Sequence, residues 1–195
     1  MAASRDGVQK LDCIQSEDSL KAATKPATWP LDIYQVFKQA DIRQVAYVPD
    51  AGHSLLIKAC HADKNMRAVC LTTEEEGVAM LAGAWLGGER GALLMQSSGV
   101  GNCINMLGMI NECRFPLLMV ITMRGHWGEF NPWQVPMSQA TVPALEAIGA
   151  TVHMVDKPAE AGETVAAAAR LAFSTGRAVA VLISQRVIGF KTFGK

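Results

Sequence analysis

The sequence lacks several features that mark common classes of protein. Its 195 residues carry 18 Lys and Arg against 18 Asp and Glu, so no basic excess points to a nucleic-acid partner. Its five cysteines form no Cys-x-x-Cys pair and are odd in number, which argues against a zinc site or a disulfide framework. The longest apolar run, residues 115–123, is too short to span a bilayer, and no apolar segment near the start resembles a secretory signal. These absences predict a cytoplasmic protein that binds neither nucleic acid nor membranes.

Apolar residues are abundant instead. Half of the residues are hydrophobic, 18% are charged, and the mean hydropathy is +0.16. This composition excludes disorder for the bulk of the chain, and in a protein without membrane spans it predicts a large interface with another subunit. Residues 1–27 are polar and aperiodic. We therefore expect an N-terminal extension there and one domain over residues 28–195.

Helical stretches alternate with short apolar runs from residue 29 onward. The runs are continuous in apolar residues, which is typical of strands covered on both faces. The pattern predicts an α/β fold, with a doubly wound, mostly parallel sheet of about six strands and helices on both faces. The predicted strands cover residues 44–48, 67–71, 92–95, 117–122, 151–155 and 178–183. The predicted helices cover residues 29–39, 54–61, 74–86, 101–112, 143–148 and 158–173.

Ligands of such sheets bind outside the carboxyl ends of the strands. This rule selects four segments as the place to look for chemistry. They are residues 49–54, 72–76, 96–102 and 124–139. The last segment is long for a connection within a compact α/β unit, and loops of that length tend to be functional.

The turn after the second predicted strand is acidic and reads T-T-E-E-E-G. Thr73 is a natural N-cap, and Glu76 three residues later would complete a capping box. Acidic residues in a first turn also suit the helix macrodipole, so capping alone explains much of this turn. Glu74 differs, because the first position of a helix at the carboxyl end of a strand points into the ligand crevice.

The segment Q-S-S-G-V-G-N-C-I-N follows the third predicted strand and contains two glycines. A dinucleotide-binding fingerprint would require a third glycine where Ile104 stands. Two interpretations of these residues stay open. One is the phosphate-binding loop of a nucleotide-dependent oxidoreductase, and the other is a tight strand-to-helix turn with Asn102 as the helix cap.

Together these motifs resemble the pyrimidine-binding domain of thiamine-diphosphate enzymes. The acidic helix contributes a glutamate followed by a glycine nine residues later, in the pattern Glu74, Gly77, Ala79, Ala82 and Gly83. Joined to the two-glycine segment and to the V-P-D turn at residues 48–50, this pattern is similar to sulfopyruvate decarboxylase α subunits. It is also similar to the matching half of phosphonopyruvate decarboxylases. The resemblance covers roughly residues 30–188.

The resemblance implies that Glu74 is the catalytic residue. In that superfamily, the glutamate hydrogen-bonds the pyrimidine ring nitrogen of the cofactor and passes a proton to it. We therefore expect an apolar pocket that favours the protonated form of the carboxyl group. The two-glycine segment would lie against the pyrimidine and the substrate. The expected cofactor contacts beside Glu74 are Ser97, Ser98, Gly99 and Asn102.

The remaining crevice segments would serve the substrate. The same resemblance makes candidates of three residues after the first strand, Asp50, His53 and Ser54. Arg124 and His126 could hold the anionic tail of a sulfonate, phosphonate or carboxylate, for which arginine is well suited. In the same loop, the candidates for packing against a neighbouring subunit are Trp127, Phe130 and Trp133.

Half of a thiamine-diphosphate site is missing from the sequence. Such enzymes hold the diphosphate and a divalent metal ion through a Gly-Asp-Gly segment, and this chain has none. The resemblance therefore implies a second subunit that binds the diphosphate and Mg²⁺, with no metal ligand from this chain and no activity of this chain alone. The expected enzyme is a hetero-oligomer, such as α2β2 or larger, that decarboxylates a small anionic 2-oxo acid. Sulfopyruvate is the first candidate and phosphonopyruvate the second. A non-catalytic partner of the same fold stays an alternative.

Overall fold

Apolar segments of four to seven residues form the strands of this protein, whose computed structural model describes residues 28–190. The strands are β1 (Ile42–Tyr47), β2 (Arg67–Cys70), β3 (Arg90–Gln96), β4 (Leu117–Thr122), β5 (Thr151–Val155) and β6 (Ala178–Ile183). The α-helices are α1 (Trp29–Gln39), α2 (Ser54–Ala62), α3 (Glu74–Leu86), α4 (Ser97–Cys113), α5 (Val135–Ala147), α6 (Ala161–Thr175) and α7 (Gln185–Ile188). The extension predicted for residues 1–27 lies outside the described residues.

The six strands form one sheet in the order β2-β1-β3-β4-β6-β5, and every neighbouring pair is parallel. Strands β4 and β6 are buried along their whole length. That burial explains why their sequences are continuously apolar, since both faces are covered. The predicted α/β fold with a six-stranded parallel sheet is confirmed.

The helices cover both faces of the sheet, as predicted. On one face α1, α2 and α6 bury Ile33, Phe37, Leu56 and Val165 against the strands. On the other face α3, α4 and α5 bury a second apolar layer, which includes Val78, Leu81, Val100, Leu107 and Leu145. Within the described residues, no helix is long and apolar enough to cross a bilayer.

Several predicted helix boundaries are wrong. Helix α4 begins at Ser97 and not at residue 101, because both glycines of the segment adopt helical conformation. Helix α5 begins at Val135 and not at residue 143. Pro136 occupies its first turn, where a missing N–H costs nothing, while Pro143 lies inside the helix on an exposed position. The helix predicted from residue 158 starts as a 3-10 turn and becomes α6, and α7 was not predicted.

The predicted helix caps are borne out only in part. Thr73 occupies the N-cap position of α3, as predicted, but its hydroxyl is buried and has no hydrogen-bond partner among residues 28–190. The Glu76 carboxylate accepts a hydrogen bond from the backbone N–H of Thr72 at 2.9 Å, one residue before the position that a capping box requires. Asn102 lies within the second turn of α4 and does not cap it.

The strand order creates a crevice at one point of the sheet edge. Strand β1 has β2 on one side and β3 on the other, so the connections that leave β1 and β3 diverge. Such a switch point is where open α/β sheets bind ligands, at the carboxyl ends of the strands. The segments after β1, β3 and β4 meet at this crevice, as the contacts below show.

Candidate active site

The Glu74 carboxyl is held between the first turns of α3 and α4. It is 8% exposed, and its Oε2 accepts a hydrogen bond of 2.8 Å from the side-chain amide of Asn102. A Cβ atom on Gly99 would lie 2.4 Å from Oε1 and from Cδ of Glu74, so only glycine permits this approach. Oε1 has no hydrogen-bond partner within residues 28–190. One carboxylate oxygen is therefore fixed, and the other is left for a ligand.

The environment of Glu74 disfavours further negative charge. Cys103, on α4, is fully buried in the apolar layer beneath. Burial, reinforced by the carboxylates of Glu74 and Glu75, raises the pKa of the Cys103 thiol to about 12. The thiol is thus neutral at physiological pH and serves as an apolar neighbour of the carboxyl.

A second carboxylate, Asp50, lies at the switch point of the sheet. Its Oδ2 accepts a 2.6 Å hydrogen bond from the Thr122 hydroxyl, at the end of β4, and its Oδ1 accepts one of 3.2 Å from the Gln96 amide, at the end of β3. The backbone N–H of Gly52 is a further donor. Burial alone would raise the pKa of Asp50, but the hydrogen bonds from Thr122, Gln96 and Gly52 hold it below its usual value. Asp50 is therefore ionised.

His53 lies behind Asp50 and is completely buried. Its Nδ1 is 3.6 Å from Oδ2 of Asp50, and neither ring nitrogen has a hydrogen-bond partner within the described residues. Burial lowers the pKa of His53 to about 4, although Asp50 opposes this shift. The ring is therefore neutral at pH 7. Ser54, the first residue of α2, is exposed.

Arg124, just after β4, forms a bidentate ion pair with Glu129. Its Nε and Nη2 donate hydrogen bonds of 2.6 and 2.7 Å to the two carboxylate oxygens. Glu129 also accepts hydrogen bonds from the backbone N–H groups of Gly125 and Asn131 and from the Gln185 amide. The Arg124 hydrogen bonds are the main reason that the pKa of Glu129 falls to about 2. Only the part of the Arg124 guanidinium that does not contact Glu129 is therefore available to a ligand.

A small cavity of about 120 Å³ separates the Arg124 side chain from Asp50. Its other walls are Ala51, Gly52 and residues 188–190. One wall is anionic and another cationic, so the cavity suits a polar group that both accepts and donates hydrogen bonds.

The aromatic residues of the 124–139 loop differ in their surroundings. The Trp127 ring lies 3.9 Å from the guanidinium carbon of Arg186, and the Phe130 ring lies 5.9 Å from that of Arg124. Both rings therefore contact arginines of their own chain, and the packing against a neighbouring subunit stays a prediction. Trp133 is 85% exposed. His126 is exposed, with Nε2 3.4 Å from the Ser184 hydroxyl.

The first turn of α4 connects the predicted site residues. Ser98 donates a hydrogen bond to Gln96, which binds Asp50, and the buried Ser97 hydroxyl accepts from the backbone N–H of Arg124 at 3.1 Å. The same turn presents Gly99 to Glu74. Because α4 starts directly after β3, no loop is left there to wrap a dinucleotide phosphate. Residues 28–190 contain no group of three or more His, Cys, Asp or Glu side chains that could hold a metal ion.

Sequence reasoning missed four residues of this crevice. Gln96 and Thr122 are each the last, polar residue of an apolar strand, which was a usable signal that they face a ligand edge. Glu129 and Gln185 carry no such signal. Their importance depends on how the loop after β4 folds back on β6 and α7.

Curated proteins similar to this chain in sequence are sulfopyruvate and phosphonopyruvate decarboxylases. The chain is 35% identical over 152 residues to the sulfopyruvate decarboxylase subunit alpha of Methanothermobacter thermautotrophicus, which covers 77% of this chain and 92% of that relative. It is 34% identical over 125 residues to the sulfopyruvate decarboxylase of Methanosarcina acetivorans, which covers 63% of this chain but 32% of that relative. A phosphonopyruvate decarboxylase of Streptomyces viridochromogenes is 38% identical over 89 residues, which is 45% of this chain and 22% of that relative. No family model matches the chain.

Among solved structures, a 2-oxoglutarate:ferredoxin oxidoreductase from Magnetococcus marinus superposes with a TM-score of 0.65. The sequence identity is 16%, and the match covers 82% of this chain and 29% of that chain. This likeness concerns the fold alone. The sequence relatives settle the family, because their alignments span nine-tenths or more of the subunits. The chain belongs to the family of sulfopyruvate decarboxylase alpha subunits.

Proposed function

We propose that this chain is the pyrimidine-binding subunit of a heteromeric, thiamine-diphosphate-dependent decarboxylase that acts on sulfopyruvate. Its curated relatives are decarboxylases, and three of them are named as alpha subunits. The observation that carries the proposal is the Glu74 carboxyl, which is buried, fixed at one oxygen by Asn102 and packed against Gly99.

The residues around Glu74 fit an aminopyrimidine ring. Gly99 lets the Glu74 carboxyl lie where a Cβ atom would otherwise be, and Oε1 accepts no hydrogen bond from the described residues, so it is available to a ring nitrogen. Glu74 would hold the ring nitrogen, with Gly99 below it and Asn102 keeping the carboxyl in place. When bound, thiamine diphosphate would supply a carbon nucleophile for the 2-oxo carbonyl and accept the electron pair that stays behind when CO2 leaves.

The proton at Oε1 is the part of the chemistry that belongs to this chain. The Glu74 carboxyl is 8% exposed, is fixed at Oε2 by Asn102 and lies beside the neutral Cys103 thiol, and this fixed position supports its role as the group that exchanges a proton with the ring nitrogen.

The substrate would lie on the Asp50 and Arg124 side of the same crevice. Arg124 is the cation nearest the 120 Å³ cavity, and it is positioned for a sulfonate or carboxylate oxygen by its ion pair with Glu129. Phosphonopyruvate is a second candidate substrate, because a phosphonopyruvate decarboxylase is also a relative of this chain. The diphosphate and Mg²⁺ would be bound by a second subunit, since this sequence has no Gly-Asp-Gly segment.

The test is a reconstitution. The chain is purified with and without the subunit that carries the Gly-Asp-Gly segment, and CO2 release from sulfopyruvate is measured with thiamine diphosphate and Mg²⁺. We expect turnover only from the pair. Glu74→Gln should lower kcat by about 100-fold or more, because Gln cannot pass a proton to the ring. Glu76→Gln is the matched control, since Glu76 is exposed and only binds the Thr72 N–H.

Three outcomes would count against the proposal. Full turnover by the chain alone would contradict a divided site. Equal kcat for Glu74→Gln and the unmodified enzyme would show that another residue supplies the proton. Tight NAD binding, with no effect of thiamine diphosphate on turnover, would favour a nucleotide-dependent oxidoreductase instead.

A further inference from the structure

Gln185, the first residue of α7, is a buried amide that holds the loop after β4. It is 1% exposed. Its Oε1 accepts hydrogen bonds from the backbone N–H groups of His126 and Trp127, at 3.2 and 3.0 Å, and its Nε2 donates one of 2.9 Å to Oε2 of Glu129. Breaking these bonds would leave a buried amide unpaired, which is costly. Gln185 therefore fixes the path of this loop.

Glu129 connects Gln185 to Arg124. The carboxylate that accepts the Gln185 hydrogen bond also accepts two from Arg124, and the two charged side chains are 3% and 12% exposed. A planar guanidinium that is bound through two N–H groups keeps one orientation. The remaining amino group of Arg124, Nη1, has no hydrogen-bond partner within residues 28–190. The direction in which Nη1 faces is therefore set by Glu129, and the position of Glu129 depends on Gln185.

The same short helix forms a wall of the cavity in front of Arg124. Helix α7 is four residues long, and the backbone N–H of Gly189 closes its single turn on the carbonyl oxygen of Gln185 at 2.9 Å. Ile188, Gly189 and Phe190 line the 120 Å³ cavity, whereas Gln185 does not. Helix α7 thus holds the guanidinium through its first residue and bounds the space before it with its last.

The charges around this cavity make the position of Arg124 important. Asp50 is ionised on another wall, and the Arg124 hydrogen bonds keep Glu129 ionised as well, since they lower its pKa to about 2. An anionic group in the cavity is attracted by the free part of one guanidinium and repelled by these two carboxylates. Because both forces change with distance, a small shift of the guanidinium alters their balance.

We propose that Gln185 is a positioning residue that gives the enzyme its preference for 2-oxo acids with an anionic tail, and that it acts through Glu129 on Arg124. The proposal rests on the proposed function, in which Arg124 binds the sulfonate of sulfopyruvate. Gln185 would then affect binding of the tail and not the proton chemistry at Glu74. Loss of such a binding contribution raises KM and leaves kcat unchanged.

Kinetics of the assembled enzyme test the proposal. Gln185→Leu removes the amide at similar size. We expect it to raise KM for sulfopyruvate by about 10-fold or more, with kcat changed by less than about 2-fold. The inhibition constant of pyruvate, which lacks the sulfonate and competes with sulfopyruvate, should also change by less than about 2-fold. The matched control is Gln44→Leu, because the Gln44 amide on β1 likewise donates to a glutamate, Glu89, and should leave KM unchanged.

Two further variants keep the test independent of any loop disturbance. Gln185→Glu retains an acceptor for the N–H groups of His126 and Trp127 but places a second carboxylate against Glu129. It should therefore also raise KM for sulfopyruvate. In an Arg124→Leu background, Gln185→Leu should raise KM no further, because residues that act through one another do not contribute additively.

The outcomes separate this proposal from the proposed function. If both Gln185 variants weaken sulfopyruvate and pyruvate equally, or change neither, Gln185 does not set the preference for the tail and the function stands. Additive increases of KM in the double variant would show that Gln185 does not act through Arg124. If the unmodified pair of subunits releases no CO2 from sulfopyruvate, the proposed function is wrong and this proposal is overturned with it.

Discussion

Glycine at position 99 decides whether the Glu74 carboxyl can occupy its recess. A methyl group there would lie 2.4 Å from the carboxyl, so Gly99→Ala must move Glu74 away from Asn102. We expect thiamine diphosphate to bind the assembled enzyme at least about 10-fold more weakly, because one placed hydrogen bond to a charged group is lost. Cofactor titration followed by fluorescence would measure this.

Gly108 provides the control in the same helix. Nothing lies within 4 Å of a Cβ at this position, so Gly108→Ala should leave cofactor binding unchanged. It should also raise the free energy of unfolding by about 0.5–1 kcal/mol, because alanine favours helix over glycine. Equal cofactor affinity in Gly99→Ala and Gly108→Ala would show that the position of the Glu74 carboxyl does not govern cofactor binding.

His53 makes stability depend on pH in the mildly acidic range. Its pKa is lowered from 6.5 to about 4 in the folded chain, so the unfolded chain takes up the proton first. The contribution of the neutral His53 ring to the free energy of unfolding is therefore complete above pH 6.5 and decreases as the pH drops towards 4. Urea unfolding at about pH 7.5 and about pH 5 should show a loss on the order of 2 kcal/mol that is absent in His53→Leu.

The half-buried His153, on β5, supplies the comparison. His153→Leu should keep the loss of stability between the two pH values. A loss in His53→Leu as large as in the unmodified chain would show that another group takes up the proton. At the higher pH, His53→Leu should not be less stable, because it removes two buried ring nitrogens that lack partners.

Residues at strand ends were predictable, and residues that depend on loop paths were not. Glu74 and Asp50 stand where a polar side chain follows an apolar strand, and the structure brings both to the crevice. Nothing in the sequence indicated that His53 would be fully buried, because its burial depends on how α2 packs. Glu129 escaped notice for the same reason, since its partners come from three separate segments.

Among the elements, strands were predicted better than helix starts. The bounds of β4, β5 and β6 agree with the prediction, because a continuous apolar run has sharp ends. The sequence predicts no helix before residue 101, because two glycines disfavour helix, whereas α4 begins at Ser97. Tertiary contacts explain both glycines, because Glu74 lies against Gly99 and Met137 lies against Gly101.

The loop between β4 and α5 depends on Glu129. Glu129→Gln would place an amide N–H₂ against the donors of Arg124 or the backbone, and it would remove the charge that pairs with Arg124. We expect a loss of about 2 kcal/mol in the free energy of unfolding at neutral pH. The pKa of Glu129 is lowered to about 2, so its contribution is present above pH 4.5 and disappears as the pH falls towards 2.

The difference in unfolding free energy between the unmodified chain and Glu129→Gln should therefore shrink in acid. Glu160 offers a matched control, because it pairs with Lys157 at the surface with both side chains exposed. Glu160→Gln should cost less than about 0.5 kcal/mol. A cost as small for Glu129→Gln would mean that the loop is held by other contacts.

For the whole molecule, composition and pattern sufficed for the architecture. Continuous apolar strands between helices predicted a covered parallel sheet, and one is present. The order β2-β1-β3-β4-β6-β5 could not be predicted, because crossover direction leaves no local mark on sequence. The abundance of apolar residues pointed to an interface but not to its position. In the structure, Trp133 is 85% exposed.

The hydrogen bond from Asn102 to Glu74 has a stereochemical consequence. An amide N–H₂ can only donate, so Oε2 must stay unprotonated, and an acidic hydrogen on Glu74 has to reside on Oε1. In Glu74→Gln the same constraint would turn the new carbonyl towards Asn102 and its N–H₂ towards the recess. That variant would copy the shape of the protonated acid while being unable to release its hydrogen. Under the proposed function, this variant would bind the ring without delivering a proton to it.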